Sequence, residues 1–239
     1  MIRAYLDESG HEQDYVILAG HAGTFAEWIR FAVQWHLALG PQRKRLHMKN
    51  LRWSKPATKR LLAALGPLPS KCGLVRLFGG VRVSDYADLV TGTRVEKMFK
   101  GYIPALFTAI SHLIMSLPDD ERLEVVFEEQ REYERHVHAA MTAICYSKDP
   151  RYRAKDGTRK LARWVFLPKD DEPLFDQADY TAYALLQRCR DPNSTRAKWC
   201  APILAGRRVV GEILNREQAR KSLFDTAKKT DKLKLNRSV

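Results

Sequence analysis

No run of about twenty apolar residues occurs in the 239-residue chain, which excludes an ordinary membrane-spanning helix. The opening Met1-Ile2-Arg3 leads into a short strand-like stretch and then acids. It lacks the long apolar centre of a secretory signal, so the expected location is the cytoplasm. Cysteine is scarce: Cys72, Cys145, Cys189 and Cys200 are scattered, with no zinc-ligand spacing between any pair. They read as reduced, mostly buried thiols. There is no internal repeat and no low-complexity block. Gly79-Gly80 is not followed by the Gly-Lys-Ser/Thr of a phosphate loop. Ser9 lies in no Gly-x-Ser-x-Gly elbow, which leaves Ser9-Gly10 as a turn. Acids are the rarer charge, 28 against 41 Lys plus Arg, for a net charge of +13. That excess favours a polyanion, nucleic acid first and an anionic membrane second. Eight basic and three acidic residues fall between Arg216 and Val239.

Hydrophobic patterning indicates a mixed α/β chain. Residues 2–7 and 14–23 are apolar runs separated by Gly10-His11-Glu12-Gln13, a hairpin pattern. Thr24 and Glu27 form a capping-box pair ahead of a helix that ends at Gly40-Pro41. A basic connector, "QRKRLHMKNLRW", carries His47 and five basic residues, Arg43, Lys44, Arg45, Lys49 and Arg52, that are expected, with the C-terminal tail, to hold a nucleic-acid backbone. Helices are expected over 56–65, 95–117, 131–146, 173–189 and about 211–228, and strands over 72–86, 122–130 and 161–168. This order predicts a sheet with antiparallel early strands and parallel later ones, flanked by helices. The expected division is one α/β domain over residues 1–200 and a basic helical extension and tail over 201–239.

Three acids stand at element ends where α/β proteins gather their sites. Asp7 closes the first strand, in "IRAYLDESG". Glu128 closes "LEVVF", with Glu129 beside it. Asp179 edges the apolar face formed by Phe175, Ala178, Ala182, Leu185, Leu186 and Cys189 on the 173–189 helix. Asp176 falls further round, toward solvent, where it would favour the helix N-terminus. Each acid alone is compatible with a solvated strand end. Together, without a nearby base in the sequence, they call for a hard cation such as Mg²⁺ or Mn²⁺, which takes oxygen ligands. A basic exterior around acidic strand ends suits cleavage of a phosphodiester. Glu8 is placed to orient an attacking water. His136 and His138 are two apart on a helix and do not share a face, so they make no metal pair. Trp28 and Trp35 read as core.

The elements "YLDESG" at 5–10, "VVFEEQ" at 125–130 and "DQADYTAYAL" at 176–185 resemble the bacterial family called domain of unknown function 3800. That family is similar to the ribonuclease-H-like superfamily. The resemblance runs from residue 2 to about 190. It implies a ribonuclease-H-like sheet and a metal site of Asp7, an acid ending the fourth core strand, and Asp179. Glu128 fits the second position, where Asp is the more usual residue. The superfamily often adds a Glu from the preceding helix, for which Glu96 is the candidate. His47 resembles a His segment that often follows the early strands and would touch substrate phosphate. The activity implied is metal-dependent nucleic-acid hydrolysis. The rival expectation is a non-catalytic protein of the same fold that binds nucleic acid or a partner.

Overall fold

The computed structural model describes residues 1–10, 14–41, 45–90, 102–169 and 172–221. Strand β1 (Ile2–Ser9) and β2 (Tyr15–Thr24) pair antiparallel, and α1 (Phe25–Leu39) follows. The Thr24–Glu27 capping box forms: Glu27 Oε2 accepts from the Thr24 N–H at 2.7 Å, and Thr24 Oγ1 accepts from the Glu27 N–H at 3.3 Å. Then come α2 (Pro56–Leu65), α3 (Leu68–Lys71), β3 (Val75–Arg82), α4 (Val83–Val90) and α5 (Tyr102–Ser116). They are followed by β4 (Leu123–Glu128), α6 (Arg131–Cys145), β5 (Leu161–Leu167), α7 (Phe175–Arg190), α8 (Thr195–Cys200) and β6 (Val209–Leu214).

The six strands form one mixed sheet in the order β5-β4-β1-β2-β3-β6. Strands β1, β2 and β3 run antiparallel in succession, whereas β4 joins β1, β5 joins β4 and β6 joins β3 in parallel. Alternation along β1 sends Ala4 and Leu6 to one face and Tyr5 and Asp7 to the other. The Ala4/Leu6 face packs on α5 and α6 through Leu106, Ile110, Ile114, Val137 and Met141. The Tyr5 face packs on α1, α2 and α7, with Trp28, Phe31 and Trp35 in its core. Helix α5 lies so close to β3 that a Cβ on Gly79 would stand 2.0 Å from the Ala105 carbonyl oxygen, so the position requires glycine.

Two segments depart from the sequence reading. Residues 83–86 begin a helix instead of ending a strand. Residues 209–214 are a strand, and the helix expected over about 211–228 begins only at residue 216, its described part running to residue 221. Here Gly211 has φ +125, unfavourable for any other residue, and its Cα side lies against the Phe78 carbonyl of β3. Pairing with β3 overrides the local helical spacing, and the segment after residue 200 thus supplies an edge of the sheet. Among the described residues, no helix is long and apolar enough to cross a membrane.

His21 on β2 stands opposite Tyr5, is 2% exposed, and its Nδ1 meets Gln177 Oε1 of α7. Burial lowers its pKa from the ordinary 6.5 to about 4, against the pull of Gln177. A depressed histidine pKa contributes stability in full above pH 6.5 and loses it as pH falls through 4. Unfolding free energy from urea titrations should therefore drop by about 3 kcal/mol between pH 7 and pH 4 through this group. His21→Gln should flatten that slope. An unchanged slope in the variant would show that other groups govern the acid limb.

Candidate active site

Strands β1 and β4 are in parallel register, Leu6 beside Phe127, so their next residues, Asp7 and Glu128, emerge side by side near the carboxyl ends; Glu128 is the last residue of β4, whereas β1 runs on two residues past Asp7 to Ser9 instead of closing at the acid. Asp179, one turn into α7, reaches the same point from the helix layer. Asp7 is 2% exposed and Asp179 8%. The three acids converge, but on a side chain that sequence reasoning missed. Two residues past the end of β5, Lys169 sends its ammonium between them. Nζ lies 2.7 Å from Asp7 Oδ2, 2.9 Å from Glu128 Oε2 and 3.9 Å from Asp179 Oδ2. The base held to be absent from the neighbourhood is therefore present.

One ammonium does not balance the cluster. Burial, then the Glu8 carboxylate, push the Asp7 carboxyl well above the usual range; Lys169 opposes this, and Glu128 and Asp179 reinforce it. Burial also penalises the Lys169 ammonium, but Asp7, Asp179 and Glu128 outweigh it and hold its pKa above that of an ordinary lysine. Both directions have one origin: more negative than positive charge in a poorly solvated place.

Around this centre is a cleft of about 500 Å³. Its floor is Asp7, Glu8, Glu128, Lys169 and Asp179, and its walls include His47, Lys49, Tyr183, Arg190 and Arg196. The Glu8 N–H donates to Asp7 Oδ1 at 2.8 Å, and the Glu8 carboxylate accepts from Gln130 Nε2. Asp7 therefore presents a fixed oxygen toward Lys169. Tyr183 stacks on Trp53 at 5.4 Å between centroids, and Arg196 lies 5.5 Å over the Trp53 ring. The neighbouring Tyr180 is fully buried and donates its hydroxyl to the Leu62 carbonyl.

The connector at 45–50 is pinned to α7 by both helix acids. Asp176 Oδ2 accepts from the Leu46 N–H at 2.7 Å, and Asp179 Oδ2 accepts from the Met48 N–H at 3.1 Å. Asp176 is thus not at the solvent side of α7: it is 1% exposed, roofed by this connector, and paired with Arg45 Nε at 2.7 Å. Burial raises its carboxyl pKa against the opposing Leu46 N–H and Arg45. Arg45 also donates to the Lys169 carbonyl, so its head points inward and serves the scaffold instead of the nucleic-acid contact expected of it. His47 Nδ1 stands 3.0 Å from Asp179 Oδ2, in ion-pair reach but without hydrogen-bond alignment. Lys49 lines the cleft, and Arg52 is exposed. Arg43, Lys44 and Glu96 lie outside the described residues.

Among the described residues, no three His, Cys, Asp or Glu side chains are grouped to hold a metal ion as they stand. The donor set is nevertheless chemically suited to a hard cation: carboxylate oxygens only, largely buried, and in excess over the positive charge beside them. No protein-family model, no curated protein and no solved structure matches the chain.

Proposed function

We propose that the chain is a metal-dependent nuclease of ribonuclease-H-like type. The observation that carries this reading is the convergence of Asp7, Glu128 and Asp179, from two strand ends and a helix, on the floor of a cleft with basic walls. The strand directions support it, since the antiparallel β1–β3 and the parallel β4 and β5 follow the pattern that the resemblance implies. Glu128 also ends the fourth strand in the chain. Asp7, Glu128 and Asp179 would hold Mg²⁺ or Mn²⁺, which when bound supplies an activated water and charge stabilisation at the phosphate. Glu8, fixed through Gln130, is placed to orient the attacking water. Lys49, Arg190 and Arg196 attract the phosphate backbone, and His47 stands beside Asp179 to touch a phosphate oxygen. The site lies at depth, so the strand being cut must enter the cleft.

The test is cleavage of end-labelled DNA, RNA and RNA–DNA hybrid, single- and double-stranded, in Mn²⁺, Mg²⁺ or EDTA. Metal-dependent cutting of any of these supports the reading and identifies the substrate. A second reading is favoured by one observation: Lys169 already partners the acids. It makes the chain a non-catalytic binder of nucleic acid, with binding indifferent to EDTA. For either reading, Arg190→Gln and Arg196→Gln should each reduce the slope of log affinity against log salt by about 0.9. Unchanged slopes in a salt titration would remove these two arginines from the nucleic-acid interface.

A further inference from the structure

We propose that Lys169 is a tethered cation that holds the acid cluster together in the metal-free protein and must swing out for a divalent ion to enter. The inference rests on the nuclease reading and concerns how its site is loaded. At 2.7 Å and 2.9 Å from Asp7 and Glu128, the ammonium occupies the point on which the carboxylates converge. A divalent ion bound by the same oxygens would share that space and repel the ammonium. Occupancy is therefore exclusive.

The surroundings permit the exchange. The Lys169 backbone is fixed: its carbonyl accepts from Arg45, which is itself locked to Asp176. Leu167, just before it, accepts from the Glu129 N–H at 2.8 Å. The side chain, in contrast, lines the cleft and has rotatable bonds leading into open space. A lysine withdrawn from the acids would stay at the floor of the cleft, near an entering phosphate. The same charge would serve the folded protein before loading and the bound strand after it. Lys169 therefore lowers the apparent metal affinity, because each loading event must break its two short ion pairs.

The experiment uses the full chain. Mn²⁺ affinity is measured for wild type and Lys169→Met by the electron paramagnetic resonance of free Mn²⁺, and each is melted in EDTA and in saturating Mn²⁺. Lys169→Met is expected to bind Mn²⁺ at least tenfold more tightly. It should melt lower than wild type in EDTA and gain more from Mn²⁺. A second measurement needs no variant: acylation of wild-type Lys169 by an amine-reactive ester, read by peptide mass spectrometry, should rise several-fold when Mn²⁺ is added. Equal Mn²⁺ binding by both proteins, or Lys169 labelling that does not rise with metal, overturns the inference and leaves the metal site standing. If neither protein binds Mn²⁺, the inference falls together with the metal-dependent reading.

Discussion

Asp7→Asn is expected to abolish metal-dependent cleavage and yet stabilise the metal-free protein. The loss should be at least about 10²–10³-fold, the scale on which removing one preorganised charged group acts. The gain follows from the buried carboxyl. Burial and the Glu8, Glu128 and Asp179 carboxylates raise its pKa despite Lys169. A raised carboxyl pKa favours the protonated form in the fold. Its contribution is therefore present in full below the ordinary aspartate range and is lost as pH rises through the folded value. Holding a carboxylate among these acids costs stability, and asparagine is the neutral isostere. A gain of ~1 kcal/mol would raise the melting temperature by about 2–4 °C in a chain of this size. Nucleic-acid binding should persist or tighten, because a repelling charge is gone. Melting in EDTA and the cleavage assay check the two halves separately. Cleavage at the wild-type rate would refute the role of Asp7, and a lowered melting temperature would mean that its pair with Lys169 outweighs the crowding of acids.

Asp176→Ala should be the most destabilising single change near the cleft, costing about 3–5 kcal/mol. It removes one partner of a buried ion pair and leaves Arg45 without its carboxylate and the Leu46 N–H without its acceptor. The damage should extend to function, because the same contacts hold the connector that places His47 and Lys49 at the cleft. Asp176→Asn retains an acceptor for Leu46 and should lose less. Equilibrium unfolding in urea measures both. A cost below about 1 kcal/mol for the alanine variant would show that the connector is anchored elsewhere.

Several features were legible because local chemistry and tertiary structure agree. The β-branched run from Tyr15 to Thr24, the capping box at Thr24 and the acid-terminated strand at Leu123–Glu128 all form where the pattern puts them. Trp28 and Trp35 are core, as their helical spacing indicates. The three acids were legible as strand-end and helix-edge positions, since strand direction alone carries Asp7 and Glu128 to one rim. Lys169 was not. It is one lysine in a polar stretch of sequence, "LPKDDEP", and its meaning depends on which side chains surround its tip. Asp176 was misplaced because a helical wheel knows only its own helix. The connector that roofs that face lies 130 residues earlier in the chain. Strand β6 was lost for a similar reason: its partner, β3, is remote in sequence, and nothing local signals that pairing.

The order of the strands has a consequence for synthesis. Asp7 belongs to a hairpin that can form as soon as the first two dozen residues leave the ribosome. Its neighbour Glu128 and the Lys169 ammonium arrive much later, and Asp179 later still. A growing chain therefore has Asp7 long before it has the groups that crowd it or the cleft around it. Only after α7 has docked on β1 and β2 are Asp7, Glu128 and Asp179 brought together, so the acid cluster is a property of the finished fold and of no shorter stretch of it.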